Sequence, residues 1–557
     1  MAVQDKNRNS TIDGRRLIVR QQPRKFQAAL FVYMMHPCLS VPEIFALICD
    51  CFTSTTDPYD RYELECYRKT LKIFTTRHRL STLWKDQTLT SLLRCLPSDI
   101  FKDRNKAHDF VVVRQITPQD LERFTFYATL IRRISTLHLP MDRSCLDALR
   151  DVCSRPLLPN LRFLRLGTSD EAAPDHIRSI FLSPGLRRLE LHLPANDEAM
   201  PIVPCLHESC PDIQEFALWI EFNRDKRMED VGIASSLVRH WNNLRTFRVP
   251  HVNADDLPYL ASLPRLSMLG LDDCRGDTAS IPSLPSPAFI ALQVLTMHLE
   301  RIEYGIALLR ALLPQSLRLR DLRLGWDEAR QTDWPALLAA IAHSCHHASL
   351  ALLELCDRVR SLSSESADEY LPWPGALDFA AMHPLTSFSN LVEMSLVCPR
   401  SYVLADDDLR RLAEAWPHLE RLNLRTDSNL NSRRPQYMTI RALVDVARLL
   451  PRLKELGLDF DASMDAPDAD KDARDDQSPS GAPQHPLCWM NVGYSRISSA
   501  PPVANLLSSI FPALSGIMWR RNTRAQGRGG DERLQEVARA QKWKEVTVEL
   551  QLSASEF

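Results

Sequence analysis

The stretch LPNLRFLRL, residues 158–166, decides the fold. It carries the pattern LxxLxL behind a Leu-Pro pair. The chain repeats it as PGLRRLEL at 184–191, LPRLSMLGL at 263–271, WPHLERLNL at 416–424 and LPRLKELGL at 450–458. Looser copies begin at Ile134, Ile213, Leu244, Leu292, Leu319, Leu350 and Leu391, and the weakest, LSGIMW, at Leu514. Most gaps between successive copies are 22 to 31 residues long. Self-similarity at that period is the signature of a leucine-rich-repeat array.

The spacing has a physical cause. Side chains alternate along a strand, so the last two leucines of each motif share one face and point into the array. The return path has room for a helix, and helical spacing fills it. Leu146, Leu149 and Cys153 recur at i, i+3, i+7, as do Leu409, Leu412 and Trp416. Ile440, Leu443, Ala447 and Leu450 mark another helix. One strand–helix unit cannot bury its apolar face alone, but stacked units share a core. The expected fold is α/β, a leucine-rich-repeat solenoid over 102–557 with parallel strands on the concave face and helices on the convex one. The position that normally holds Asn or Cys is filled that way only by Cys274, so the array is expected to be irregular. Gaps of 41 and 61 residues mark insertions. Residues 459–486 hold eight aspartates among Ser, Gly, Ala and Pro and predict a disordered acidic loop. A second polar loop is expected over 361–374, and the end, 531–552, predicts a helix followed by the strand VTVEL.

Composition narrows the function. The chain has 557 residues, 45% apolar and 25% charged, with a net charge of −2. No global field recruits nucleic acid or an anionic membrane. No apolar run approaches the roughly 20 residues of a membrane span. Only 16 glycines argue against phosphate-cradling loops. Fourteen cysteines without a CxxC pair fit reduced, buried thiols in a cytoplasmic or nuclear protein.

Candidate chemical motifs fail on inspection. HESCP at 207–211 starts like a zinc-protease motif, but Pro211 replaces the second ligand. His343, Cys345, His346 and His347 lack evident further ligands. Asp468, Asp470 and Asp472 have calcium-loop spacing, yet Ala473 stands where Gly is needed and Pro479 where Glu is needed. No nucleophile-elbow, P-loop or kinase signature occurs. The expectation is a non-enzymatic protein with no catalytic residue, cofactor or metal. The better site is the concave face, where Phe163, Arg165, Trp219, Arg248, Arg323, Trp326, Arg421 and Arg425 are candidate substrate contacts, being the aromatic and Arg types that anchor interfaces. Their charges are mixed with acids, so the sign of the ligand stays open.

Ahead of the repeats, over 35–52, runs MHPCLSVPEIFALICDCF. Ser40 and Glu43 make a capping box, Pro42 sits in the first turn, and Ile44, Leu47, Ile48, Cys51 and Phe52 line one helical face. Leu64, Tyr67, Leu71 and Phe74 follow on a second helix, and Trp84 closes the unit. These residues resemble an F-box. The adjoining LTSLLRCLPSDIF, 89–101, resembles the hinge of the large F-box family of mushroom-forming fungi, which also carries irregular leucine-rich repeats. The second helix departs from that family, with LKIF at 71–74 in place of Cys-Arg-x-Phe. The resemblance implies an F-box-like helical module and hinge over 35–101. It implies that Leu39, Pro42, Glu43, Ile44 and Ile48 face a Skp1-like adaptor. It also implies a substrate receptor of a cullin-RING ubiquitin ligase whose repeats hold a protein substrate. A leucine-rich-repeat scaffold without ligase recruitment is the first alternative and a hydrolase the remote one; no nucleic acid or membrane partner is expected.

Residues 1–34 carry seven Lys or Arg against two Asp. They read as a disordered basic extension, a nuclear-import signal or an upstream extension of a gene model, and a chain begun at Met35 is expected to fold and bind as well.

Overall fold

The computed structural model describes residues 86–556 except 88, 104–109, 137–142, 153–155, 168–173, 195–201, 222–236, 275–280, 327–332, 358–376, 399–401, 427–436, 464–483 and 521–529. The extension 1–34, the F-box-like helices over 35–84 and the polar loop over 361–374 lie outside the described residues.

Sixteen strands form one sheet, and their order across it is their order along the chain. They are β1 (Asp86–Gln87), β2 (Arg133–Thr136), β3 (Phe163–Gly167), β4 (Arg188–Pro194), β5 (Glu215–Glu221), β6 (Thr246–Val249), β7 (Met268–Cys274) and β8 (Val294–Leu299). Then come β9 (Asp321–Trp326), β10 (Leu352–Asp357), β11 (Glu393–Cys398), β12 (Arg421–Thr426), β13 (Glu455–Leu458), β14 (Trp489–Asn491), β15 (Gly516–Trp519) and β16 (Ser553–Glu556). Every neighbouring pair is parallel. Sequential order in a parallel sheet is what a one-dimensional repeat array produces, because each unit contacts only its neighbours.

The motif leucines do as alternation demands. Leu164 pairs in register with Leu189, and Leu166 with Leu191, and all are buried. The helices lie on the core side: Leu146 and Leu149 from the helix Arg143–Val152, and Leu409 and Leu412 from Asp406–Ala415, are buried against the strands. Helix starts are set locally. Asp333 accepts from the Ala336 N–H at 3.0 Å and Asp378 from that of Ala381 at 2.8 Å, satisfying donors that a first helical turn leaves open. The missing Asn/Cys position is replaced by other ties between repeats. Asn160 Nδ2 donates to the Thr129 carbonyl and Asn390 Nδ2 to that of Ala348.

Four expectations need correction. The solenoid sheet starts upstream of residue 102: β1 pairs with β2, and Leu92, Leu93 and Leu96 of the hinge-like stretch are in the same core. The gap of 61 residues between Leu453 and Leu514 hides a further repeat, because β14 lies inside it and pairs with β13 and β15. The acidic segment does not begin at residue 459. Asp459 accepts from the buried Tyr494 N–H and Phe460 is fully buried, so only 464–483 lies outside the described residues. Finally, VTVEL is helical. The helix Gly530–Glu549 runs through it, and the strand is Ser553–Glu556. Ala540, Trp543 and Val546 recur at helical spacing and are buried, and that burial outweighs the β-propensity of two valines. This helix closes the end of the core: Trp543 Nε1 donates to the Ser495 carbonyl at 2.9 Å, and Arg539 pairs with Glu536 while bonding the carbonyls of Gly493, Ser495 and Arg520.

Candidate functional site

The sheet face turned away from the helices is a ladder of side chains in register. Its first row runs Arg133, Phe163, Arg188, Glu215 across β2–β5. The Arg133 and Arg188 guanidiniums stand 4.8 and 5.0 Å from the Phe163 ring centroid, so the ring is clamped between two cations. Arg188 also pairs with Glu190 at 2.5 Å and with Glu215 at 3.0 Å, while Arg165 reaches Glu190 at 3.4 Å.

A second cluster centres on Trp219. The Arg248 guanidinium lies 3.9 Å from its ring centroid, and the His192 ring stacks on it at 5.9 Å. Asp272 holds Arg248 at 2.9 Å. Gly270 lets this happen: a Cβ there would come within 2.7 Å of the Arg248 side chain. Further on, Arg323 faces Glu354 at 3.7 Å. Arg421 bonds Glu393, whose carboxylate raises the guanidinium pKa above its ordinary value. Beyond Arg421 the face sinks into a hollow of about 350 Å³ bordered by Asn423, Arg425, Glu455, Trp489 and Met518. Gly457 leaves it open, since a Cβ would stand 2.6 Å from the Asn423 amide oxygen.

Seven of the eight sequence-predicted contacts therefore lie on this face, in separate clusters: Phe163 with Arg165, Trp219 with Arg248, Arg323 alone, and Arg421 with Arg425. Trp326 does not. It follows Leu322 and Leu324 at alternate positions, so it points into the core, fully buried, with its ring 5.0 Å from that of Trp334. The sequence reading missed Trp489, whose strand lacks a leucine motif; the only signal was the alternation in WMN. The expected adaptor contacts Leu39, Pro42, Glu43, Ile44 and Ile48 lie outside the described residues.

The motifs at 207–211 and 343–347 set aside as chemistry are built into packing, while the aspartates at 468–472 lie outside the described residues. His207 stacks on His240 at 4.0 Å. Burial pushes the thiols of Cys210 and Cys345 up to about 12, leaving both protonated at neutral pH. Among the described residues no group of three or more His, Cys, Asp or Glu could hold a metal ion, and no helix is long and apolar enough to cross a membrane.

No protein family model matches the sequence, and no curated protein matches it. Solved structures do match. One is a chain from the crystal structure of the Rad7 and Elc1 complex in yeast, 12% identical, with a TM-score of 0.31 over 64% of this chain and 76% of that one. So distant a superposition says nothing about chemistry or partners.

Proposed function

We propose that this chain is a recognition subunit that binds a protein on the open face of its sheet and is recruited through its F-box-like segment to a Skp1-like adaptor and a cullin-RING ubiquitin ligase. The observation that carries the recognition half is the ladder itself. Large aromatic and arginine side chains are held in fixed positions on a face that covers no core: Phe163 between Arg133 and Arg188, Trp219 beneath Arg248. Such preorganised anchors lose little conformational freedom on binding, which is where affinity comes from. The ligase half rests on the sequence resemblance at 35–101, with Leu39, Pro42, Glu43, Ile44 and Ile48 as adaptor contacts.

Co-purification of the full chain with a Skp1-like adaptor tests it. The adaptor should be retained by the wild type and lost from Ile44→Asp, whose carboxylate would be buried without a partner. A wild-type chain that fails to retain the adaptor removes the ligase half and leaves a leucine-rich-repeat scaffold.

A further inference from the structure

Folding gathers arginines that the sequence scatters. The Arg162 and Phe163 N–H groups both donate to the Arg132 carbonyl, and those of Arg187 and Arg188 to the Arg162 carbonyl. Arg132, Arg162 and Arg187 thus stand on consecutive rungs directly ahead of β2, β3 and β4. Arg133, Arg165 and Arg188 project from the open face of the same strands. Within these three strands and the residue preceding each, six arginines stand against one acid, Glu190. That excess occurs in a chain whose net charge is −2. Glu190 is shared by Arg165 and Arg188, and Arg188 also pairs with Glu215 on the adjacent β5, so both arginines are oriented, while among the described residues Arg162 and Arg187 are exposed and meet no carboxylate. The Phe163 ring lies in the middle of the cluster. Three strands at about 4.8 Å spacing make a patch roughly 10 Å across.

We infer that the β2–β4 end of the sheet binds an acidic protein segment, extended across the strands, with carboxylates on either side of an apolar residue. Alternate side chains of an extended segment are about 7 Å apart. Two carboxylates at that spacing reach arginines on both sides of Phe163, while the residue between them covers its ring. Arginine guanidiniums suit this partner, because their paired N–H groups match a carboxylate bidentately. The inference rests on the recognition reading of the sheet face and names the class of partner it takes.

The test uses the full chain and a fluorescein-labelled glutamate-rich peptide with one central leucine, followed by fluorescence anisotropy. The peptide should bind, and its glutamine counterpart should not. Combined Arg162→Glu and Arg187→Glu should weaken binding at least about tenfold and flatten its salt dependence. Arg448→Glu, an exposed residue on the helix Ala442–Leu449 away from the open face, should change neither. Equal binding by the double variant overturns the inference. So does tighter binding of single-stranded DNA, or binding of a phosphoserine peptide where the glutamate peptide fails. A random peptide display library panned on the full chain separates the two levels. Selected peptides that lack acids and lose binding on Trp219→Ala remove the acidic partner and leave recognition standing. If no peptide is selected, both fall.

Discussion

The indole Nε1 of Trp416 donates to the carbonyl of Leu385 at 3.1 Å, across 31 residues and inside the core. Trp241 does the same to Cys210 at 3.0 Å, again 31 residues back. Each bond staples the end of one repeat to the one before it. Trp416→Phe keeps most of the apolar contact and removes one of two donors to the Leu385 carbonyl, which still accepts from the Phe388 N–H at 3.1 Å. It should cost about 0.5–1.5 kcal/mol in denaturant unfolding, the net worth of one hydrogen bond, and Trp416→Ala about 3–5 kcal/mol. A Phe variant as stable as the wild type would show that the bond contributes nothing.

Strand β9 passes from the open face to the core within a few residues. Arg323 is exposed and its pair with Glu354 is long, so Arg323→Ala should change stability by no more than about 1 kcal/mol. Trp326, three residues on, is packed against Trp334, and Trp326→Ala should cost about 3–5 kcal/mol. Equal thermal shifts in the two variants would contradict this division.

Phe460 and the residues after it behave oppositely for the same reason. The Phe460 ring packs edge-on against Trp543 at 6.0 Å, tying β13 to the terminal helix. Phe460→Ala should therefore cost about 3–5 kcal/mol. Residues 464–483 hold six aspartates and scarcely an apolar side chain, so joining Ser463 to Gln484 through a short glycine linker should barely move the unfolding midpoint. A fall of many degrees in that deletion would mean that the segment packs.

His485 makes the C-terminal repeats sensitive to acid. Its Nε2–H donates to the Leu450 carbonyl at 3.0 Å and its Nδ1 accepts from the Leu487 N–H at 3.2 Å, an arrangement only the neutral ring can make. Burial lowers its pKa below the ordinary value. The unfolded chain then takes up the proton first as pH falls. The stabilisation is complete above the unfolded pKa of about 6.5 and is lost as pH drops through it toward the folded value. Between about pH 7.5 and 5.5 the wild type should lose more thermal stability than His485→Asn. A larger loss in the variant would reverse the sign and refute the assignment.

Much of the fold was legible because alternation and period are local properties. The pairs Leu164–Leu166 and Leu422–Leu424 announce a strand, its buried face and its place in the array without reference to anything distant. The same rule assigns Trp326 to the core, two residues beyond Leu324, and reading it as exposed set residue type above position. Where the local signal was weak or contradictory, burial decided. β14 has no leucine motif and is a strand because β13 and β15 leave a place for it. Val546 and Val548 look like a strand and lie in a helix because Ala540, Trp543 and Val546 must cover the end of the core.

The candidate site divides along the same line. The sequence by itself determined which side chains leave the core, since Phe163, Arg165, Trp219 and Arg248 occupy the alternate positions of their strands. Only the tertiary structure decided which of them meet. Arg132, Arg162 and Arg187 are separated by 30 and 25 residues along the chain, yet stand on adjacent rungs of one sheet. The distance between them is set by hydrogen bonds between repeats, and no local pattern of residues contains it.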